Sequence, residues 1–243
     1  MRSVSFRGCL FLLLIILFRL RQRDSAAISM AKEIDEVAKE WDEWAEGWTT
    51  GEMGEMVLQF NRLAEEIVRS KVGDLSGKTI MEFGAGHGVL GLALAADCAS
   101  VELVDVAPKM VAEAEKKIAS KDFKNVKAHC CDLLVECPFS PNSLDLIISG
   151  SVLTFTPDLP KTLAKLADLS KPGGYQLHFV FKGPDAPVRD RSRTTELSYE
   201  DGMSEAQLRD ELEAAQLSCL ESGELPPLSA TESMTWIWVL AKK

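Results

Sequence analysis

Between residues 79 and 181, short apolar runs alternate with helix-period segments, and this alternation constrains the fold more than any other feature of the chain. Residues 79–83, 100–104, 126–131, 144–149 and 175–181 read as strands, with helices over 89–96, 108–120 and 159–169 between them. Strands separated by helices pair in parallel, and such a sheet is covered on both faces. Two further strands, 217–221 and 235–241, follow a helix over 204–216 that Ser204 caps. The expectation is an α/β fold: three layers, doubly wound, around a mostly parallel seven-stranded sheet. Right-handed crossovers place the loops that leave the strands on one edge, where ligands bind in such sheets. The residues to examine are therefore 82–88, Asp105, Asp132 and 149–154.

Glu82-Phe83-Gly84-Ala85-Gly86-His87-Gly88 leaves a strand and enters a helix. Glycines permit a tight turn and close approach of backbone to ligand, and the helix start favours an anion such as a carboxylate. Asp105 ends the next strand, where an acid can accept hydrogen bonds from both ribose hydroxyls of a nucleoside. A formal dinucleotide pattern, Gly86-His87-Gly88-Val89-Leu90-Gly91, is out of register: counted from Gly84, the first loop glycine, the sixth position is Val89. Glu82 would also repel a pyrophosphate, whereas a ligand carrying an ammonium group would welcome it.

These residues resemble motif I of the class I S-adenosylmethionine-dependent methyltransferases, in particular the broad small-molecule group of methyltransferase type 11/12/25 domains. The resemblance spans about residues 31–243. Asp105-Val106-Ala107-Pro108-Lys109-Met110, Cys131-Asp132, the run 143–149 and Lys171-Pro172-Gly173-Gly174 follow in the family's order. It implies a reversed C-terminal hairpin, an N-terminal helical lid and S-adenosylmethionine as cofactor. By the same resemblance the backbone of Gly84, Ala85, Gly86, His87 and Gly88 approaches the methionine portion, and Glu82 positions the ammonium. Asp105 and Val106 meet the ribose, Asp132 and Leu133 the adenine, and Ser149 with the residues to Val152 lines the floor near the methyl group. The implied reaction is in-line methyl transfer to a small-molecule or lipid-like acceptor. A protein-lysine methyltransferase, a non-catalytic module keeping the cofactor fold, and an NAD-dependent oxidoreductase are the alternatives.

Methyl transfer from a sulfonium needs proximity, alignment and desolvation more than a dedicated acid or base. No catalytic residue is accordingly assigned. His129 and His178 lie within strands and read as structural, and Asp145 reads as a turn acid. Thr154-Phe155-Thr156 stands where many family members have paired histidines, so no acceptor contact carries over. Ser149-Gly150-Ser151-Val152 is unlike the Asn/Asp-Pro-Pro-aromatic loop of base amino methylation.

The formal net charge is −10. Five arginines against Asp24 alone give residues 1–29 a net +4, leaving −14 on the rest. An acidic body disfavours nucleic acid as partner. The head carries ten consecutive apolar residues, 9–18, about half a bilayer core as a helix. It reads equally as a membrane anchor, a targeting peptide or an extension upstream of a start at Met30. The first two make the chain membrane-associated or organelle-targeted and the third cytoplasmic. Residues 30–243 then form the methyltransferase domain, with helices over 30–73 ahead of a core over 74–243. The first helix, expected over 31–48, carries Trp41, Trp44 and Trp48 on one stripe, either to pack on the core or to cover the site. The six cysteines show no metal-type spacing and read as free thiols, so no metal is expected.

Overall fold

The computed structural model describes residues 34–183, 202–228 and 235–243. The basic head, with its apolar run 9–18 and Cys9, lies outside the described residues. Among the described residues no helix is long and apolar enough to cross a membrane.

The first helix, α1, spans Ile34–Trp44. It stops short of the expected 48 because Gly47 donates its backbone N–H to the Trp44 carbonyl and the chain turns. The turn ends at Thr50, which precedes α2, Gly51–Val72. The core then follows the expected alternation. β1 is Thr79–Phe83, α3 is Val89–Leu94, β2 is Ser100–Asp105 and α4 is Pro108–Ser120. Next come β3, Val126–Cys130, β4, Leu144–Gly150, α5, Leu159–Leu169, and β5, Ser170–Phe181. α6, Glu205–Ala214, starts with a reciprocal capping box between Ser204 and Gln207. β6, Ser218–Glu224, and β7, Trp236–Lys242, complete a seven-stranded sheet ordered β3-β2-β1-β4-β5-β7-β6.

The first five strands run parallel, and β7 inserts antiparallel between β5 and β6. Alternation along the strands separates two cores. Ile80, Leu146, Ile148, Phe179 and Trp238 face Phe60, Ala64 and Val68 of α2 and Leu90 of α3. Met81, Ile147, Val180 and Val239 face Leu163 and Leu166 of α5 and Leu208 and Leu212 of α6. β7 is buried along Trp236–Ala241, as a strand covered on both faces must be. Asp145 accepts from the Thr79 N–H (2.9 Å) and from Lys171 Nζ (2.7 Å), tying the start of β1 to β4 and β5.

Strand register brings the relevant chain ends to one edge. Phe83 lies level with Val104 and with Ser149, Asp105 with Cys130, and Ser149 with His178. Because β7 is reversed, its first residue, Trp236, reaches the same edge opposite Phe181.

Candidate functional site

The loop leaving β1 is folded tightly onto β2. Gly84 N–H and Ala85 N–H both donate to the Val104 carbonyl, at 2.8 and 2.9 Å, and Gly88 N–H donates to the Ala85 carbonyl at 2.7 Å. Gly84, Gly86 and Gly88 all take the left-handed conformation, with φ of 69°, 51° and 68°. A Cβ on Gly84 would stand 2.4 Å from Val152, and one on Gly88 would stand 2.4 Å from Leu103. Backbone geometry and space thus both demand glycine. The result is a cradle of bare main chain at the start of α3.

Two acids, Glu82 buried and Asp105 half-buried, support this cradle. Glu82 Oε2 accepts from Gly91 N–H at 2.8 Å, fixing the first turn of α3 to β1. Burial, with the charge of Asp105, pushes the Glu82 carboxyl up to about 8, against the pull of the Gly91 N–H and Lys117. Asp105 Oδ2 accepts from Gly86 N–H at 2.7 Å, and Oδ1 from Ala107 N–H at 2.9 Å. Burial raises the Asp105 carboxyl as well, opposed by the N–H groups of Ala107, Gly86 and Val106. An acid whose charged form is opposed mainly by desolvation is one that a cation or several donors would ionise.

The other expected residues are distributed around this centre. Asp132 follows β3 beside Asp105, whose carbonyl accepts from Cys131 N–H at 3.0 Å. Its Oδ1 accepts from Leu134 N–H at 2.9 Å, so the carboxylate shapes the turn that it stands in. The Leu133 side chain is buried in the α5 and α6 core. Val106 presents its carbonyl to Cys130 Sγ at 3.8 Å. Ser149 is fully buried and its hydroxyl lies 2.7 Å from His178 Nδ1.

That contact begins a chain of buried hydrogen bonds. His178 Nε2 lies 2.8 Å from Gln176 Oε1, Gln176 Nε2 donates to Ser170 Oγ at 2.9 Å, and Ser170 Oγ donates to the Leu166 carbonyl at 3.0 Å. One assignment satisfies every link: Ser149 donates to Nδ1, and Nε2–H donates to Gln176. Burial holds the His178 ring neutral, down to about 3. His129, by contrast, pairs with Glu102 at 2.7 Å and stacks edge-on against Phe139.

Several participants were not visible as such in the sequence. Ser151 has φ of 58°, unusual for a residue with a side chain, and is held there by its N–H to the Phe179 carbonyl (2.8 Å) and by Trp236 Nε1, which donates to its Oγ at 2.9 Å. Trp48 lies over the loop, its Nε1 3.3 Å from where a Cβ on Gly86 would be. Trp41 meets Trp48 and Phe155 edge to face, and Ala45 packs with Ala107 and Met110. Asp42 Oδ1 accepts from Lys109 N–H at 2.7 Å, at the start of α4. The tryptophan stripe thus divides: Trp41 and Trp48 pack with Ala45, Ala107 and Met110, while Trp44 is exposed. No spacing rule could have paired Asp42 with Lys109, or Ser151 with Trp236.

Among the described residues no cluster of His, Cys, Asp and Glu is arranged to hold a metal ion. Cys98, Cys130, Cys131, Cys137 and Cys219 are free thiols.

Residues 80–174, from β1 into β5, match a family model described as a methyltransferase domain. No curated protein sequence matches the chain. Solved structures share the fold at low identity. An S-adenosylmethionine-dependent methyltransferase from Aquifex aeolicus is 19% identical, with a TM-score of 0.64 over 83% of this chain and 97% of that one. The 1,6-didemethyltoxoflavin-N1-methyltransferase of Burkholderia thailandensis is 18% identical, with a TM-score of 0.67 over 90% and 92%. The [4+2]-cyclase SpnF is 17% identical, with a TM-score of 0.70 over 88% and 97%.

Proposed function

We propose that the chain, whose residues 80–174 match a methyltransferase domain model, is a class I S-adenosylmethionine-dependent methyltransferase that transfers the cofactor's methyl group to a small-molecule or lipid-like acceptor. The observation that carries this reading is the pairing of a left-handed glycine cradle with a half-buried acid at the end of the next strand, joined by the hydrogen bond from Gly86 to Asp105.

The residues fit the group. Bare backbone at Gly84, Ala85, Gly86 and Gly88 leaves room for the methionine portion, and the N–H groups at the start of α3 favour its carboxylate. Glu82, desolvated beneath the loop, answers the ammonium charge. Asp105 offers two oxygens to the ribose hydroxyls, exchanging the Gly86 N–H for a ligand donor. On this reading Val106 would meet the ribose, Asp132 with the following Leu133 would meet the adenine, and His87 would contribute loop backbone. Bound S-adenosylmethionine supplies an electrophilic methyl on a sulfonium, with a neutral thioether as leaving group. The protein's part is then to exclude water and align the acceptor over residues 149–152, with Ser149 at the floor.

The small-molecule class is supported by two features. Aromatic side chains stand beside that floor: Trp41 meets Phe155 edge to face, while Phe60, Phe181 and Trp236 pack together in the core. Aromatic walls suit apolar or cationic acceptors. The Burkholderia enzyme and a geranyl diphosphate methyltransferase of the same fold are named for small-molecule methylation. The fold is also that of a protein named as a cyclase, so the assignment rests on the site and not on the fold.

The test is a thermal-shift titration followed by label transfer. S-adenosylmethionine and S-adenosylhomocysteine should both raise the melting temperature, and Asp105→Ala should abolish the rise. Transfer of a labelled methyl group into the small-molecule fraction of an extract is then expected. No shift with either ligand overturns cofactor binding, and label confined to protein overturns the acceptor class.

A further inference from the structure

His87 is the one buried ionisable group of the loop that the proposed chemistry leaves without a task. Its side chain turns away from the cradle and is only 3% exposed. Nδ1 lies 3.2 Å from Thr49 Oγ1, and Nε2 is buried without a hydrogen bond. Thr49 belongs to the turn between α1 and α2, the segment whose Trp48 covers Gly86. The same turn is wedged against α2: a Cβ on Gly54 would stand 2.3 Å from the Thr49 carbonyl carbon.

We propose that His87 is a positioning residue that holds the turn 45–50 shut over the glycine loop, and that loss of this tie opens the cofactor cleft. The cover is held elsewhere by Asp42 on the Lys109 N–H and by Trp41 against Phe155. Of these ties, only that through His87 includes an imidazole, a group that changes charge near neutral pH.

The direction follows from the surroundings. The ring is faced by Glu113, Lys116 and Lys117 of α4, and by the Ala45 carbonyl and the Thr49 hydroxyl of the turn. Burial, then Lys117, lowers the His87 proton affinity, with a smaller push from Lys116; the Ala45 carbonyl and Glu113 act in the opposite sense. The closed state thus holds the proton less well than an open state with a solvated ring. Closure is favoured above the ordinary imidazole value of 6.5 and weakens as pH falls through it. A cofactor pocket capped at neutral pH and loosened in mild acid is the consequence, and this consequence for affinity rests on the methyltransferase reading.

Two measurements on the full chain test the proposal, comparing wild type with His87→Asn, which keeps a hydrogen-bonding partner for Thr49 but cannot titrate. The first is acrylamide quenching of tryptophan fluorescence without cofactor, between roughly pH 7.5 and pH 5.5, the window in which an imidazole takes up its proton. Quenching of the wild type should rise severalfold as the cover opens, and that of His87→Asn should stay level. Thr49→Val, which removes the bond from the other side, should raise quenching already at the upper pH. The second is calorimetric binding of S-adenosylhomocysteine over the same range. Glu82 and Asp105 titrate in both proteins, so the signature is a severalfold weakening in wild type beyond that in His87→Asn. Parallel pH profiles in wild type and His87→Asn overturn the proposal. If the nucleoside fails to bind at every pH, the methyltransferase reading falls and the quenching profiles decide the tie on their own.

Discussion

Buried ionisable side chains give single residues of this protein opposite demands on pH. Glu82 is held up to about 8 from its ordinary 4.5, so between those values the folded chain holds a proton that the unfolded chain has released. Its contribution therefore favours the fold in acid and declines as pH rises from about 4.5 towards 8. His178 is lowered to about 3 from 6.5, so its contribution is complete above 6.5 and lost as pH falls towards 3. Denaturant unfolding across this range should show the two slopes opposing one another between about 4.5 and 6.5. Glu82→Gln is expected to flatten the decline on the alkaline side, while leaving the acid limb in place. The glycines make a second demand at this scale. Gly84→Ala requires a side chain at a left-handed φ and a contact with Val152 at 2.4 Å. A loss of about 2–4 kcal/mol is expected from those two costs, read as a lower melting temperature together with loss of the cofactor-induced shift.

Elements are stabilised by their ends as much as by their faces. α6 starts on a capping box in which Ser204 and Gln207 satisfy each other's backbone N–H groups. Ser204→Ala removes half of it and should cost about 1 kcal/mol, seen as a lower denaturant midpoint at unchanged slope. α1 shows the opposite situation. Its apolar stripe is legible in the sequence, but its end is not. The expected helix to 48 breaks after Trp44, and the turn so formed points Trp48 and Thr49 at the glycine loop. A helical periodicity argument sees tryptophans on one face and has no term for a tertiary contact that stabilises a turn at Gly47. Trp48→Ala should therefore change the cofactor-binding rate more than the stability of the fold, which stopped-flow binding of S-adenosylhomocysteine would resolve.

At the scale of the whole molecule, the reversed β7 is what closes the architecture. It lies between β5 and β6, buried on both faces, and carries Trp236 to the edge where β1, β2 and β4 end. Val239→Asp would place an unpaired charge in the middle of that sheet, at an expected cost above about 4 kcal/mol. Insoluble expression or loss of a cooperative melting transition is the expected readout. Ligand class is likewise decided at this scale. NADH should leave the melting temperature unchanged where S-adenosylhomocysteine raises it, because the loop begins at Gly84 and has Val89, not glycine, at its sixth position, out of register for a dinucleotide. Equal protection by NADH would return the oxidoreductase reading.

The order of elements, the class of sheet, and the loop 82–88 with Asp105 at its far side are legible in the residues alone. Those are local properties: hydrophobic period, turn chemistry and the spacing of glycines act over a few residues, and here they agree with one another. Tertiary structure decided the rest. Asp105 bonds to Gly86, 19 residues away; His87 to Thr49, 38 away; Trp236 to Ser151, 85 away. What the His87 and Asp132 side chains touch is likewise tertiary: the imidazole lies against Thr49 of the cover, and the Asp132 carboxylate accepts from Leu134 in its own turn. The direction in which a side chain turns at a loop is set by whichever element packs against it, and that element is brought there by the folding of the whole sheet.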